Sequence, residues 1–488
     1  MKSKVTINYF YNLIYQLLSI ALPTLTVPYV SRVLGASGLG QYYYVSSVVT
    51  YFGILAATGT VDFGQREIAK RQDNKIARSQ CFWEIFYFRL IFTIISLVLY
   101  AIFLSVFVKN YYKLLYLVDI PMFFSWAFDV SWYLQGTENF RATAIRNGAV
   151  KVFCTILIFI FVKNSSDVLI YISIYAFANF VGNLTMIPYL QKDIVFCKVT
   201  VKQVFSNFYG IMQLFFPVIA VQLYTSLNQT MLGLYSSSSQ VGYYAQTLSV
   251  INLIITLITA YSAVMIPHIT YLYTKNKMSE VKTYLAFAVN YVHLLAIPMI
   301  CGFIMLDYIF VPFFFGIKYK AAIPVMSILC ILFIILGLSR LLGSFLIAIN
   351  KQHLYSISVI GAAITNIIFN YILLVKLHSG AIGVAWATVV SEMITTGIDI
   401  IFLRKILNIG YYILSFIKYL VLSVPIIVIV KVVLVLDINN IANLFLSVFL
   451  AVLYYLSFLL ITNDQTFNVF IKPIIEKILK LKKSNLNN

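Results

Sequence analysis

Charged residues are scarce in this sequence, and acidic residues are the scarcer kind. Asp, Glu, Lys and Arg together make up 10% of the 488 residues, whereas 61% are hydrophobic. Soluble domains are about 45–50% apolar and about 25% charged. A soluble chain of this length could not cover so much apolar surface. The composition therefore excludes a soluble globular protein and predicts a membrane protein.

The sequence also lacks the pairs and clusters of side chains that hold metals or form disulfides. Its five cysteines are scattered, mostly inside apolar runs, and its four histidines form no group with ligand spacing. Disulfide frameworks and metal sites need closely spaced Cys or Cys and His residues. We therefore expect no metal and no cofactor, which argues against a metal-dependent enzyme.

Long apolar runs occupy nearly the whole chain, and no segment between them is long enough for an independent soluble domain. A transmembrane helix needs about 20 apolar residues. The first run follows Lys2 and Lys4, but it is too long for a signal peptide and has no small-residue cleavage site. The sequence predicts 14 spans, at 9–30, 39–60, 82–108, 112–134, 142–162, 167–190, 208–232, 241–264, 284–312, 323–349, 354–376, 380–403, 415–436 and 441–462.

Positive charge is distributed unevenly between alternate loops. The net charge is +19, which on a soluble chain would suggest nucleic acid. With 14 spans both termini lie on one side, and that side carries 24 of the 35 Lys and Arg, against eight on the other and three inside spans. Cytoplasmic loops of membrane proteins collect Lys and Arg. We therefore expect both termini in the cytoplasm and no nucleic-acid partner.

Two segments 202 residues apart resemble each other and indicate an internal repeat. Residues 39–48 read LGQYYYVSSV and residues 241–250 read VGYYAQTLSV, each after a proline-containing span. An offset of six helices preserves orientation in the membrane, as in parallel two-lobed transporters. We predict six-helix lobes at 1–205 and 206–407, two additional helices in 408–464 and a basic cytoplasmic tail at 465–488. Chance similarity between apolar segments is the alternative.

Polar residues form stripes on the first helix of the chain and on the eighth. Asn12 and Gln16 belong to a series spaced by three or four residues on the first, and Asn252 belongs to a similar series on the eighth. Such side chains are unsatisfied when they face lipid. The stripes therefore face either other helices, as interhelical hydrogen bonds require, or a polar cavity.

Five of the charged residues inside the predicted spans are candidates for a functional role. Lys151, Arg340 and Glu392 lie deep in theirs, where each charge costs roughly 2.5–3.5 kcal/mol or more. We expect these three to face a cavity or to pair with one another. Arg89 and Asp129 lie nearer the cytoplasmic side, so extension of the side chain to the interface is an equal alternative for them.

Several short segments, in order, resemble the Wzx-type polysaccharide flippases. The similarity runs from residue 5 to about residue 405, and no single motif decides it. The segments that carry it are PYVSRVLG at 28–35 with GLGQY at 38–42, FGQREIA at 63–69, WYLQG at 132–136 with Glu138 and Phe140, NKQ at 350–352 and GAIGVA at 380–385.

This resemblance implies the multidrug/oligosaccharidyl-lipid/polysaccharide exporter superfamily, with two six-helix lobes around a cavity that opens alternately to each side. Its flippase branch moves undecaprenyl-diphosphate-linked repeat units to the outer leaflet of the bacterial cytoplasmic membrane, for O-antigen, capsule or exopolysaccharide. Membrane lipids, a polymerase and a chain-length regulator are then the expected partners. Family members often carry an acidic and a basic residue in helix seven, where this chain has Asn228 and Gln229.

The candidate site residues follow from the buried charges and the resemblance together. Arg and Lys neutralise a diphosphate, and Arg does so with two hydrogen bonds. Arg66 is followed by Glu67 and Lys70, so an ordinary basic loop with an i,i+3 ion pair is the alternative to a gate there. The predicted substrate-binding residues are Arg89, Lys151, Arg340, Asn12, Gln16 and Asn252, and the predicted coupling or gating residues are Glu392, Asp129, Arg32 and Arg66.

Two other functions stay open from the sequence. A drug or cation antiporter of the same superfamily would use a buried acid such as Glu392, although the excess of basic residues in the spans favours an anionic substrate. A membrane polymerase or glycosyltransferase needs a large extramembrane loop with catalytic groups, and the longest loops here, of about twenty residues, contain no cluster of carboxylates with histidine.

Overall fold

The computed structural model describes residues 2–191, 193–436 and 438–470, and within these ranges every regular element is a helix. A hydrocarbon environment favours this result, because a helix satisfies its own backbone hydrogen bonds. The all-α prediction is confirmed. The helices up to residue 274 are α1 Lys2–Val33, α2 Gly35–Ala57, α3 Thr60–Ala69, α4 Lys75–Val106, α5 Asn110–Leu117, α6 Pro121–Ala127, α7 Ser131–Gly136, α8 Phe140–Phe161, α9 Val168–Leu184, α10 Ile187–Gln191, α11 Val201–Ser206, α12 Phe208–Tyr235 and α13 Ser238–Thr274.

The remaining helices include two irregular turns. A 3-10 helix spans Ile317–Ala322 and a π-helix spans Tyr371–Lys376. The α-helices are α14 Met278–Phe315, α15 Ile323–Leu329, α16 Leu332–Ala348, α17 Gln352–Asn370, α18 Gly380–Leu403, α19 Ile409–Val435, α20 Asn440–Ile461 and α21 Gln465–Phe470.

The helices account for the predicted spans one by one. Among the described residues, 11 helical stretches are long and apolar enough to cross a membrane, or 12 when 317–329 and 332–348, bent by 47°, are taken as one span. The other two predicted spans lie on α1 and α12, each of which has side chains outside the described set. The chain is therefore a multi-pass membrane protein.

Contacts divide the chain into two units, Met1–Ala245 and Gln246–Asn488. The first has a buried core that includes Phe63, Phe88 and Trp132. In the second, α19 and α20 pack against α14, where the Tyr455 hydroxyl donates to the Leu294 carbonyl at 2.8 Å. The predicted lobe boundaries at residues 205 and 407 rest on the repeat, and they stay predictions.

The fourth predicted span, at 112–134, is broken into three short helices, α5, α6 and α7. Pro121 begins α6, at a position where its missing N–H costs no hydrogen bond. Between α6 and α7, the carboxylate of Asp129 accepts the backbone N–H of Ser131 at 3.0 Å. The break leaves carbonyl groups in the last turn of α6 available to side chains.

The two glycines that the repeated segments share lie together in the first unit. Gly40 is in α2 and Gly242 is in the first turns of α13. A Cβ at Gly40 would overlap the Ser238 carbonyl, and a Cβ at Gly242 would overlap the Ala36 carbonyl. Small residues permit this close approach of helix backbones, as is common in membranes.

Candidate functional site

Arg89 and Asp129 form a buried ion pair in the first unit. Arg89, in α4, is 1% exposed, and its Nη2 lies 3.4 Å from Asp129 Oδ2. Its Nε donates to the Trp126 carbonyl at 2.6 Å, at the end of α6. The broken fourth span therefore supplies both acceptors. Arg89 pairs inside the protein and does not extend to the membrane surface, the alternative that its position in the sequence left open.

A polar cavity of about 220 Å³ lies beside this pair. Arg146, in α8, lines it and is mostly buried. Its Nη1 and Nη2 donate to the side-chain oxygens of Asn147 and Asn183, and Nη2 also lies 3.5 Å from the Asn179 carbonyl. The full lining consists of Met122, Ser125, Trp126, Asp129, Ser131, Gln135, Arg146, Asn147, Asn179 and Asn183.

Lys151 lies near the middle of α8 and contacts the polar face of α1. Its Nζ donates to Ser19 Oγ at 2.9 Å and lies 5.0 Å from the centre of the Tyr15 ring. Both partners are uncharged, so the ammonium keeps its net charge. The predicted site residues Asn12 and Gln16 are on the same helix, and their side chains lie outside the described residues.

In the second unit, two predicted binding residues meet. Arg340, in α16, donates from Nη2 to Asn252 Oδ1 in α13 at 3.3 Å. The side chain of Arg340 is otherwise exposed. An arginine in the middle of a span is costly when it faces lipid, and an uncharged amide does not neutralise it. The pair therefore combines a guanidinium with one of the predicted polar stripes.

Glu392 is buried in α18, on the face that also carries Asp399. Asp399 is 0% exposed, and no ion pair among the described residues involves its carboxylate. The phenol of Tyr355, in α17, lies within electrostatic range of Asp399, Glu392 and Arg340. The structure thus places these charged groups around one tyrosine.

Arg32 and Arg66 do not join the buried charges. Arg32 is exposed in the last turn of α1. The side chain of Arg66 is 51% exposed, and its Nε lies 3.5 Å from Glu67 Oε1. The i,i+3 pair is present, with Lys70 Nζ 2.7 Å from Glu67 Oε1, and Arg71 Nη1 is 2.6 Å from Glu67 Oε2. This arrangement is that of a basic surface with one central carboxylate.

Sequence reasoning missed Arg146 and its amide partners. Arg146 falls in the first turns of the fifth span and was counted among the cytoplasmic charges. The available signal was the pair Asn179 and Asn183, which are four residues apart on α9 and so share a face. Within the described residues, no group of three or more His, Cys, Asp and Glu could hold a metal ion.

A family model and a curated relative each match somewhat more than half of the chain. Residues 5–272 match the model described as polysaccharide biosynthesis protein. The protein named "Putative O-antigen transporter" in Escherichia coli (strain K12) is 23% identical over 278 residues, which are 56% of this chain and 67% of that protein.

Solved structures share the fold over most of the chain. The lipid II flippase MurJ, in an inward closed conformation, matches with a TM-score of 0.74 and 16% identity over 96% of this chain and all of that one. An inward-facing multidrug resistance MATE transporter of the MOP superfamily gives a TM-score of 0.58 and 15% identity over 80% of this chain and 94% of that one. The expected superfamily fold is confirmed.

Proposed function

The chain belongs to the polysaccharide biosynthesis protein family, and on that premise we propose that it moves undecaprenyl-diphosphate-linked oligosaccharide repeat units across the bacterial cytoplasmic membrane. The direction is from the inner to the outer leaflet, for assembly of a surface polysaccharide. The protein acts as a transporter and not as an enzyme. Both termini lie in the cytoplasm, and a polymerase and a chain-length regulator receive the product.

The observation that carries this proposal is that the two deepest cations have uncharged partners. Lys151 contacts Ser19 and Tyr15, and Arg340 contacts Asn252. Ion pairs among the described residues involve neither of them. Their charge is therefore available to neutralise the diphosphate as it leaves water, while polar stripes accommodate the glycan and the prenyl tail stays in lipid.

In the mechanism we propose, the two lobes alternate access to the substrate. The diphosphate enters from the cytoplasmic side, Lys151 in one unit and Arg340 in the other each contribute positive charge, and rearrangement of the lobes exposes the substrate to the outer side. Glu392 couples transport to the movement of a cation or proton. Asp129 influences the transition between the two access states through its ion pair with Arg89. Arg32 and Arg66 attract the anionic headgroup at the membrane surfaces, where each nearby cation contributes about 1 kcal/mol.

Deletion of the gene tests this function. We expect lipid-linked repeat units to accumulate on the cytoplasmic leaflet and the surface polymer to disappear. Leaflet position is measured by accessibility of the glycan to a lectin or glycosidase added to spheroplasts, before and after permeabilisation. Normal surface polymer in a deletion strain that has no second flippase would contradict the proposal.

Loss of charge at Arg340 or Lys151 should lower transport without unfolding the protein. We expect Arg340→Gln and Lys151→Gln each to reduce surface polymer about tenfold or more, because a hydrogen bond to a charged group contributes roughly 1.5–3 kcal/mol. Arg340→Lys should retain more activity than Arg340→Gln. The exposed Lys431→Gln in α19 is the matched control. Unchanged polymer in both deep variants, at equal protein level, would remove these residues from the transport site.

One observation favours a drug or cation antiporter as the second candidate. The carboxyl of Asp399 is fully buried and takes part in no ion pair among the described residues, and Glu392 lies on the same face. A buried acid of this kind suits exchange of a cation or a proton. Drug resistance on overexpression, with surface polymer unchanged by deletion, would establish this candidate in place of the flippase.

A further inference from the structure

The cavity beside Asp129 contains a second arginine, Arg146, which lies within electrostatic range of Asp129 but forms no ion pair among the described residues. The three oxygens that Arg146 contacts belong to Asn147, Asn183 and the Asn179 backbone, and all of them are uncharged. Its Nε is buried and has no hydrogen-bond partner among the described residues. Buried charges are normally paired, because desolvation of an isolated charge costs several kcal/mol or more. Arg146 is thus an uncompensated positive charge at the wall of a cavity.

The nearby carboxylate does not supply the missing charge. Asp129 Oδ2 is 3.4 Å from Arg89 Nη2, and Oδ1 accepts the Ser131 N–H. Among the ion pairs of the described residues, Asp129 occurs with Arg89 and not with Arg146. Two guanidinium groups and one carboxylate leave the cluster with one excess positive charge. An anion in the cavity would balance it.

The cavity walls also carry hydrogen-bond donors that have no acceptor among the described residues. The amides of Gln135 and Asn147 and the hydroxyl of Ser131 line the space, and within the described part of the chain none of their donor atoms makes a hydrogen bond. The Asn183 amide, by contrast, already donates to Ser125 at 2.8 Å. A ligand that suits the remaining groups is small, negative and rich in acceptor oxygens.

We propose that this cavity is a binding site for a phosphate-type oxyanion, held by Arg146 with Asn147, Gln135 and Ser131. The volume of about 220 Å³ is well above the roughly 10–15 Å³ that one water needs, so the cavity has room for a single tetrahedral anion. The oxyanion comes either from free inorganic phosphate or from the terminal phosphoryl group of a prenyl diphosphate. The site is separate from Lys151 and Arg340 and does not require the proposed transport cycle.

Thermal unfolding of the purified full-length protein in detergent tests the site. Sodium phosphate, titrated against sodium chloride at equal ionic strength, should raise the unfolding midpoint of the wild type progressively, because stabilisation by a bound ligand grows with the logarithm of its concentration above Kd. In Arg146→Gln, the phosphate concentration that gives the same rise should increase about tenfold to a hundredfold, since a hydrogen bond to a charged group is lost. Arg146→Lys keeps the charge without the planar fork and should fall between the two.

A control variant shows whether the effect is specific to Arg146, and a second ligand distinguishes free inorganic phosphate from a prenyl diphosphate as the source of the oxyanion. Arg141→Gln removes an exposed arginine from the same helix, outside the lining, and should respond to phosphate like the wild type. Farnesyl diphosphate is the second probe, with farnesol as its blank. Arg146-dependent stabilisation by inorganic phosphate supports a free-anion site, and the same dependence with farnesyl diphosphate alone supports a headgroup site. Stabilisation that is absent, or equal in wild type and Arg146→Lys and Arg146→Gln, overturns the proposal.

Discussion

Gly40→Ala and Gly242→Ala should each destabilise the protein, by about 1–3 kcal/mol or more per added methyl group. The reason is that the obstructing atoms are backbone carbonyls, of Ser238 for Gly40 and of Ala36 for Gly242. A flexible side chain could move aside, but a helix backbone cannot do so without shifting a whole turn. The measurement is the thermal unfolding midpoint of each purified variant, together with the yield of monodisperse protein.

Gly302→Ala and Gly397→Ala are the matched controls for this effect. Both glycines lie inside helices, in α14 and α18, and a Cβ at either would meet no atom within 4 Å. Alanine is preferred over glycine in a helix by roughly 0.5–1 kcal/mol, so the controls should unfold at the wild-type temperature or above it. Wild-type unfolding of Gly40→Ala would show that the two helices are not in close contact.

This contact also shows what a repeat in the sequence can and cannot predict. The similarity between 39–48 and 241–250 identified Gly40 and Gly242 as equivalent positions. The sequence pattern does not indicate that each glycine packs against the helix that carries the other, because sequence periodicity describes one helix at a time. The distance between two helices depends on which small residues meet, which is a tertiary property.

Long helices were predictable because the hydrocarbon core of a membrane requires a continuous stretch of about 20 mostly apolar residues for each span. The span predicted at 380–403 coincides with α18, and the one predicted at 142–162 differs from α8 by two residues or fewer at each end. The span predicted at 112–134 corresponds to the candidate span Tyr112–Gly136, which consists of three short helices and not of one continuous helix. Apolar composition there is high enough for a continuous helix, and the break follows from Pro121 and from contacts that Asp129 and Trp126 make with other helices.

Candidate charges were easier to find than their partners. Depth within a span singled out Lys151 and Arg340, but the sequence offered no reason to pair them with Ser19 and Asn252 in particular. Arg146 was misplaced for a related reason. Its position near the end of a span is compatible with a cytoplasmic loop, and only the backbone carbonyl of Asn179 and the side-chain oxygen of Asn183, contributed by another helix, show that it points inward.

Asp129→Ala should cost about 3–5 kcal/mol of unfolding free energy, because it leaves Arg89 buried without its counter-charge. Arg89 is 1% exposed and cannot regain water without leaving its place in α4. Arg89→Met should cost less, since the side chain of Asp129 is 23% exposed and keeps its hydrogen bond from Ser131. Thermal unfolding of the two single variants measures this asymmetry, and the exposed Asp62→Ala in α3 is the control.

The double variant Arg89→Met/Asp129→Ala distinguishes the interaction between the two side chains from the effect of losing each side chain alone. Replacing both partners of a buried pair is far less costly than removing one, so the double variant should be more stable than Asp129→Ala alone. Part of the loss should persist, because the Trp126 carbonyl loses the Arg89 Nε donor. Additive losses would mean that the two side chains do not interact. Recovered stability without recovered surface polymer would assign the pair a role in transport beyond holding the break between α6 and α7.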